Sequence, residues 1–84
     1  MKNKINSSTI STSLGEKTII LNIESGKYYE LNNSSSLLWS MIEKGKSDNE
    51  IIKKITSTYK INTSDATESL IKFTSLCKKY GFLN

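Results

Sequence analysis

Cys77 is the one cysteine in a chain of 84 residues, and the chain contains no histidine. A thiol nucleophile needs an electropositive, accessible setting and usually an imidazole base beside it. Cys77 instead shares the apolar face of a helical pattern with Ala66, Leu70, Phe73 and, less clearly, Thr74. It reads as a packed, inert thiol. Without histidine there is no imidazole acid or base and no imidazole metal ligand. The 8 carboxylates form no i,i+4 acidic pair on an expected helix and no Asp-rich loop of the kind that holds a hard cation. Gly26-Lys27 lacks the preceding glycine and following Ser/Thr of a phosphate-binding loop. Trp39, Tyr59 and Phe73 read as core residues and not as a cofactor box. The expectation is a protein with no catalytic residue, no metal and no cofactor.

What remains is binding chemistry carried by backbone and surface. Residues 27–31, Lys27-Tyr28-Tyr29-Glu30-Leu31, are short, aromatic and strand-like. As the outer strand of a hairpin they would present unpaired N–H and C=O groups, which only Lys27 and Glu30 protect. An extended peptide could add a strand there, with backbone hydrogen bonds giving affinity and side-chain pockets giving register. The last helical segment offers two flanks beside its core stripe. One carries Thr67, Ile71, Thr74 and Lys78; the other carries Leu76 and Tyr80. Ile71 and Leu76 are both more apolar than a solvated flank requires.

The elements that must position these groups can be read from turn and cap residues. Residues 9–14 alternate faintly and suggest a first strand, turned by Gly15-Glu16-Lys17. Residues 18–24 are β-rich and form the strongest strand. Ser25-Gly26 is a two-residue turn signal leading into residues 27–31. Asn33 or the serines after it can cap a first helix over 33–44, where Leu37, Leu38, Met41 and Ile42 recur at helical spacing. Gly45 lies just past its end. Ser47-Asp48-Asn49-Glu50 is a capping box opening a second helix with Ile51, Ile52, Ile55 and Tyr59 as its stripe. Asn62-Thr63-Ser64-Asp65 caps a third helix that runs to about Tyr80, and Gly81 ends it. Phe82-Leu83 then tucks back as a staple or short strand.

The result is an α+β chain: a three-stranded antiparallel sheet followed by three helices, with a winged helix-turn-helix outline. Residues 1–8 show no periodicity and are expected to be a flexible tail before a single domain at 9–84. No apolar run approaches the roughly 20 residues that span a bilayer. The basic start lacks the apolar stretch of a signal peptide. With no internal disulfide to form, a cytoplasmic protein without membrane contact is the simplest expectation. The net charge of +4 comes from lysine alone. Lysines and acids divide evenly between the halves of the chain, so neither half is a basic module.

The run IILNIESGKYYELNNSSSLLWSMI resembles the PqqD family of precursor-peptide recognition elements. The features that carry the likeness are Ile19-Ile20-Leu21, Gly26, Tyr28-Tyr29, Leu31-Asn32 and Trp39. It continues through Glu50-Ile51, Tyr59, Phe73 and Tyr80-Gly81-Phe82-Leu83, covering nearly everything after residue 17. The resemblance implies a non-catalytic protein that binds the leader of a ribosomally made precursor peptide by strand addition. It also implies a separate maturation enzyme as partner, a lasso-peptide leader peptidase or a radical-SAM enzyme, of which the former is favoured. In such proteins the leader lies between the third strand and the third helix. Carried over, the site is Lys27, Tyr28, Tyr29, Glu30 and Leu31 with the flank Thr67, Ile71, Thr74 and Lys78. That flank is preferred because the family pattern tends to be apolar at the positions of Ile71 and Thr74; Thr74 departs from it. Lys72, Lys78 and Lys79 could steer acidic leader residues. The alternative is a small winged-helix DNA-binding protein using the third helix. The absence of arginine counts against specific nucleic-acid reading, which favours guanidinium contacts.

Overall fold

Ile20 is fully buried at the centre of the sheet, and the chain is built outward from it. The structure, a computed structural model, describes residues 4–15 and 17–84. Strands β1 (Thr9–Leu14), β2 (Lys17–Asn22) and β3 (Tyr28–Leu31) form an antiparallel sheet in the order β1-β2-β3. Helices α1 (Asn33–Glu43), α2 (Asp48–Tyr59) and α3 (Thr63–Lys79) follow. This is the expected α+β arrangement of three strands, then three helices. Glu16, in the expected β1–β2 turn, lies outside the described residues.

Pairing of Ile20 with Tyr29 and of Thr18 with Leu31 sets one face of the sheet toward the helices. Side chains alternate along a strand, so Ile20, Tyr29 and Leu31 share that face. Tyr28 and Glu30 share the other with Ile19 and Leu21. The outer face is left open: Ile10, Leu14 and Tyr28 are all exposed. On the inner face Leu31 meets a core to which α1 contributes Leu38, Trp39 and Ile42, and α3 contributes Ala66, Leu70, Phe73 and Cys77.

The hairpin between β2 and β3 is longer than the expected two-residue turn. Asn22 N–H donates to the Lys27 carbonyl at 2.9 Å, and Gly26 N–H donates to the Asn22 carbonyl at 2.8 Å. Residues 23–26 therefore make the turn, with Gly26 at φ +76°, which favours glycine. The Asn22 side chain organises it: its Oδ1 accepts from the N–H groups of Glu24 and Ser25, both at 3.0 Å. A side-chain oxygen that mimics a backbone acceptor explains why the turn opens earlier than Ser25-Gly26 alone suggests.

The helix caps are close to expectation. Asn32 caps α1, one residue before the expected Asn33, and accepts from Ser35 N–H at 2.9 Å. The capping box at α2 is complete: Glu50 N–H donates to Ser47 Oγ at 3.2 Å, and Ser47 N–H donates to Glu50 Oε1 at 3.0 Å. Asn62 accepts from Asp65 N–H at 2.7 Å at the start of α3. Tyr59, expected in the core, is instead 41% exposed. It is the last residue of α2, and Lys60 follows in the left-handed region. The buried stripe therefore stops at Ile51 and Ile55, and Tyr59 projects past the packed turns.

Residues 4–8 are not a free tail; residues 1–3 lie outside the described residues. Ile5 bridges Leu83 antiparallel, Asn6 N–H donates to the Phe82 carbonyl at 2.9 Å, and Asn84 N–H donates to the Lys4 carbonyl at 2.8 Å. Phe82 and Leu83 are deeply buried, and buried backbone groups must find partners. The segment before β1 supplies them. The end of α3 explains why this segment is in reach. Gly81 N–H donates to the Lys78 carbonyl and Phe82 N–H to the Cys77 carbonyl, at 3.1 and 2.8 Å. That pair of bonds is the Schellman arrangement, and it turns the chain back under the sheet.

Candidate functional site

Among the described residues β3 has a paired neighbour on one side only. The Asn22-to-Lys27 bond fixes which backbone groups point where. In an antiparallel pair, hydrogen-bonded residues alternate with non-bonded ones. Lys27 points its carbonyl at β2, so Tyr29 and Leu31 do the same, and the N–H and C=O groups of Tyr28 and Glu30 point to the open edge. Sequence alone could not assign these two sets.

Beside this edge lies a groove of about 350 Å³. Its apolar lining is Tyr29 and Leu31 from β3, Leu38 from α1, and Phe73 and Leu76 from α3. Ser34 and Ser35 at the start of α1, with Ser69 and Lys72 of α3, form the polar part of its lining. The Lys72 ammonium is 2.8 Å from the Glu68 carboxylate. Hydrogen bonding and charge in that exposed pair raise the lysine above its ordinary range and lower the glutamate. Two larger concavities, of about 720 and 540 Å³, lie elsewhere. The first is lined by Leu14, Lys17, Asn32, Asn33, Ser34 and Tyr59, the second mainly by polar side chains of α2. Neither contains a residue of β3, so of these three concavities among the described residues the smaller groove is the one that joins an open strand edge to an apolar floor.

The expected strand residues fall in two groups. Tyr29 and Leu31 line the groove. Tyr28 lies on the outer face, 68% exposed. Glu30 also faces outward, its Oε1 2.8 Å from Lys17 Nζ, and the carboxylate raises the Lys17 pKa above its ordinary value. Lys27 precedes the strand and contributes the carbonyl bonded by Asn22.

The expected helix flank lies apart from this groove. Thr67, Ile71, Thr74 and Lys78 are not among the residues lining the groove. Thr67 and Thr74 turn their hydroxyls onto the Thr63 and Ile71 carbonyls, at 2.8 and 3.1 Å. Ile71 is 59% exposed. The flank facing β3 is the one with Ser69, Lys72 and Leu76, and one turn further on Tyr80 meets Tyr29, with ring centroids 5.3 Å apart and planes at 88°. The core stripe of α3 is symmetric about its own axis, so periodicity identifies two flanks without saying which one the sheet lies beside. Leu76 and Tyr80 carried a usable signal, being apolar on a flank with no stripe of its own. Leu38, Ser34 and Ser35 carried none, because their approach to α3 is a tertiary contact. Cys77 is buried, and burial pushes its thiol up to about 12, which fits a packed thiol. Among the described residues no cluster of His, Cys, Asp or Glu could hold a metal ion, and no helix is long and apolar enough to cross a membrane.

The fold is shared with proteins of known structure. TbiB1 in complex with the TbiA(beta) leader peptide superposes with a TM-score of 0.92 at 25% identity, over 96% of this chain and 94% of that one. Lasso peptide synthetase B1 complexed with the leader peptide gives a TM-score of 0.92 at 19% identity, over 100% and 99% of the two chains. The second likeness speaks to the fold alone. No curated protein sequence matches. The family of coenzyme PQQ synthesis protein D matches residues 17–83, which is most of the chain and all of the sheet edge and groove, and the chain belongs to this PqqD family.

Proposed function

We propose that this protein binds the leader of a ribosomally made precursor peptide as an added strand on β3 and delivers it to a separate maturation enzyme. The observation that carries this reading is the open β3 edge beside the groove: outward backbone groups at Tyr28 and Glu30, and an apolar floor of Leu31, Leu38, Phe73 and Leu76. An added strand satisfies the edge, and its alternate side chains reach the floor. The similarity to TbiB1, which binds a leader peptide, supports it. The protein acts without catalysis of its own, in the cytoplasm, where its lone buried thiol is at home. A leader peptidase of a lasso-peptide pathway is the favoured enzyme, with a radical-SAM enzyme as the other candidate. The DNA-binding alternative draws no support from α3, where Asp65 and Glu68 accompany the lysines and Lys72 is held by Glu68.

The test uses fluorescently labelled leader peptides of candidate ribosomal precursors. Glu30→Pro removes an outward N–H on an edge strand, where proline is tolerated. It should leave the circular dichroism spectrum intact and weaken binding about tenfold or more, the loss expected for about 1.4 kcal/mol. Glu30→Ala loses the exposed Lys17 pair but keeps the N–H, and should bind like wild type. A folded Glu30→Pro variant with undiminished affinity would remove strand addition as the mode of binding.

A further inference from the structure

We propose that Tyr80, paired with Tyr29, is an end wall of the groove that sets the register of the added strand and limits the size of the residue seated against it. This deepens the strand-addition reading and rests on it. The groove is open where Leu38 and Phe73 form its floor, and Leu76 is the last residue of α3 in its lining. One helical turn beyond Leu76, strand and helix touch directly through the perpendicular rings of Tyr29 and Tyr80. The gap between them is closed at that point.

The wall stands on a fixed base. Tyr80 is the C-cap of α3, its N–H donating to the Leu76 carbonyl at 3.0 Å. Its ring lies 5.7 Å from that of Phe82, tilted by 36°, and Phe82 is 1% exposed. The Phe82 carbonyl in turn accepts from Asn6 N–H at 2.9 Å and from Thr9 Oγ1 at 3.2 Å. Tyr80 is therefore held at the helix end and packed against a buried ring, and the backbone of that ring's residue is fixed by Asn6 and Thr9.

Side chains of an added strand reach the groove at every second residue. A residue opposite Tyr29 meets the wall and has room only for a small side chain. Its neighbour two positions along lies over the floor of Leu31, Leu38, Phe73 and Leu76, and takes a large apolar side chain. The wall thus converts a backbone interaction, indifferent to sequence, into recognition of a small and a large apolar residue spaced two apart.

A random-sequence peptide library displayed against the full chain tests this. Peptides enriched by wild type should align on one apolar position with Gly, Ala or Ser two residues away, and should lose affinity for Glu30→Pro. Tyr80→Ala should relax the small position alone, so that Leu or Phe there gains about tenfold or more in affinity. Tyr80→Phe, which keeps the ring, should retain the restriction. Should circular dichroism show Tyr80→Ala unfolded, Tyr80→Leu and Tyr29→Leu lower the wall from either side and must relax the same position. Peptides that depend on the Glu30 edge yet show the same size profile on a folded wall variant overturn the wall and leave strand addition standing. Enriched peptides indifferent to Glu30→Pro, or no enrichment at all, overturn both.

Discussion

The side-chain amide of Asn22 donates to the Gly81 carbonyl at 2.8 Å, across 59 positions of sequence, and a Cβ on Gly81 would sit 2.9 Å from that same nitrogen. Asn22 is 6% exposed. Its oxygen holds the β2–β3 turn and its nitrogen holds the end of α3, so one side chain joins the strand side and the helix side of the groove's framework at its Tyr29–Tyr80 end. Asn22→Leu would leave two turn N–H groups and one carbonyl without their partner, at about 1–3 kcal/mol for each buried group left unsatisfied. Gly81→Ala adds contact with Asn22 to a backbone at φ +80° that side chains rarely adopt. Both variants should unfold at clearly lower urea concentration than wild type. An unshifted midpoint for Asn22→Leu would show that water replaces these bonds at little cost.

Helix α2 is predicted to depend on its cap. Ser47→Ala removes the acceptor for Glu50 N–H and should cost about 1 kcal/mol. For a domain of this size that is a drop in Tm of roughly 4–8 °C. Thermal unfolding followed at 222 nm checks it, with Ser47→Asp as the variant that should restore the lost stability.

The two flanks of α3 should behave differently in binding. Leu76 lines the groove and Ile71 does not. Leu76→Ser is expected to weaken leader binding about tenfold through loss of apolar contact. Ile71→Asp, on an exposed site of the opposite flank, should change it by less than about threefold, within the ordinary range for surface substitutions. Titrations of folded variants with the same labelled leader decide between the flanks. The reverse ranking would return the site to Thr67, Ile71, Thr74 and Lys78.

Stability should fall in alkali through Cys77. Its folded-state pKa is raised to about 12 from 9.0 by burial. The native thiol keeps its proton while the unfolded chain ionises, so the contribution is intact below pH 9 and is lost as pH rises from there toward 12. The expected slope is about 1.4 kcal/mol per pH unit. Cys77→Ala is expected to be less stable at neutral pH because it leaves a cavity, but to lose stability less steeply above pH 9. Equal slopes for the two proteins would assign the alkaline loss to other groups. In the native state the thiol should also resist iodoacetamide until denaturant is added.

Local physics was legible in the sequence. Ser47 and Glu50 are three residues apart, so their reciprocal bonds could be expected from spacing alone. Asn62, the glycines at 45 and 81, and the stripe of Ala66, Leu70, Phe73 and Cys77 follow from neighbours within a few residues or turns. The ordered set of strand, turn, aromatic pair and tryptophan carried the family. The tertiary structure decided whatever depends on distant partners. Asn22 looked like one more strand residue because its partner is Gly81. Residues 4–8 looked like a tail because their partners are the last residues of the chain. Tyr59 belongs to a stripe whose periodicity is real but whose packing stops one turn earlier. The choice between flanks of α3 was beyond reach for a related reason. Helical periodicity is a property of one helix, whereas the side on which β3 lies is set by how sheet and helix pack, and the contact that reports it joins Tyr29 to Tyr80.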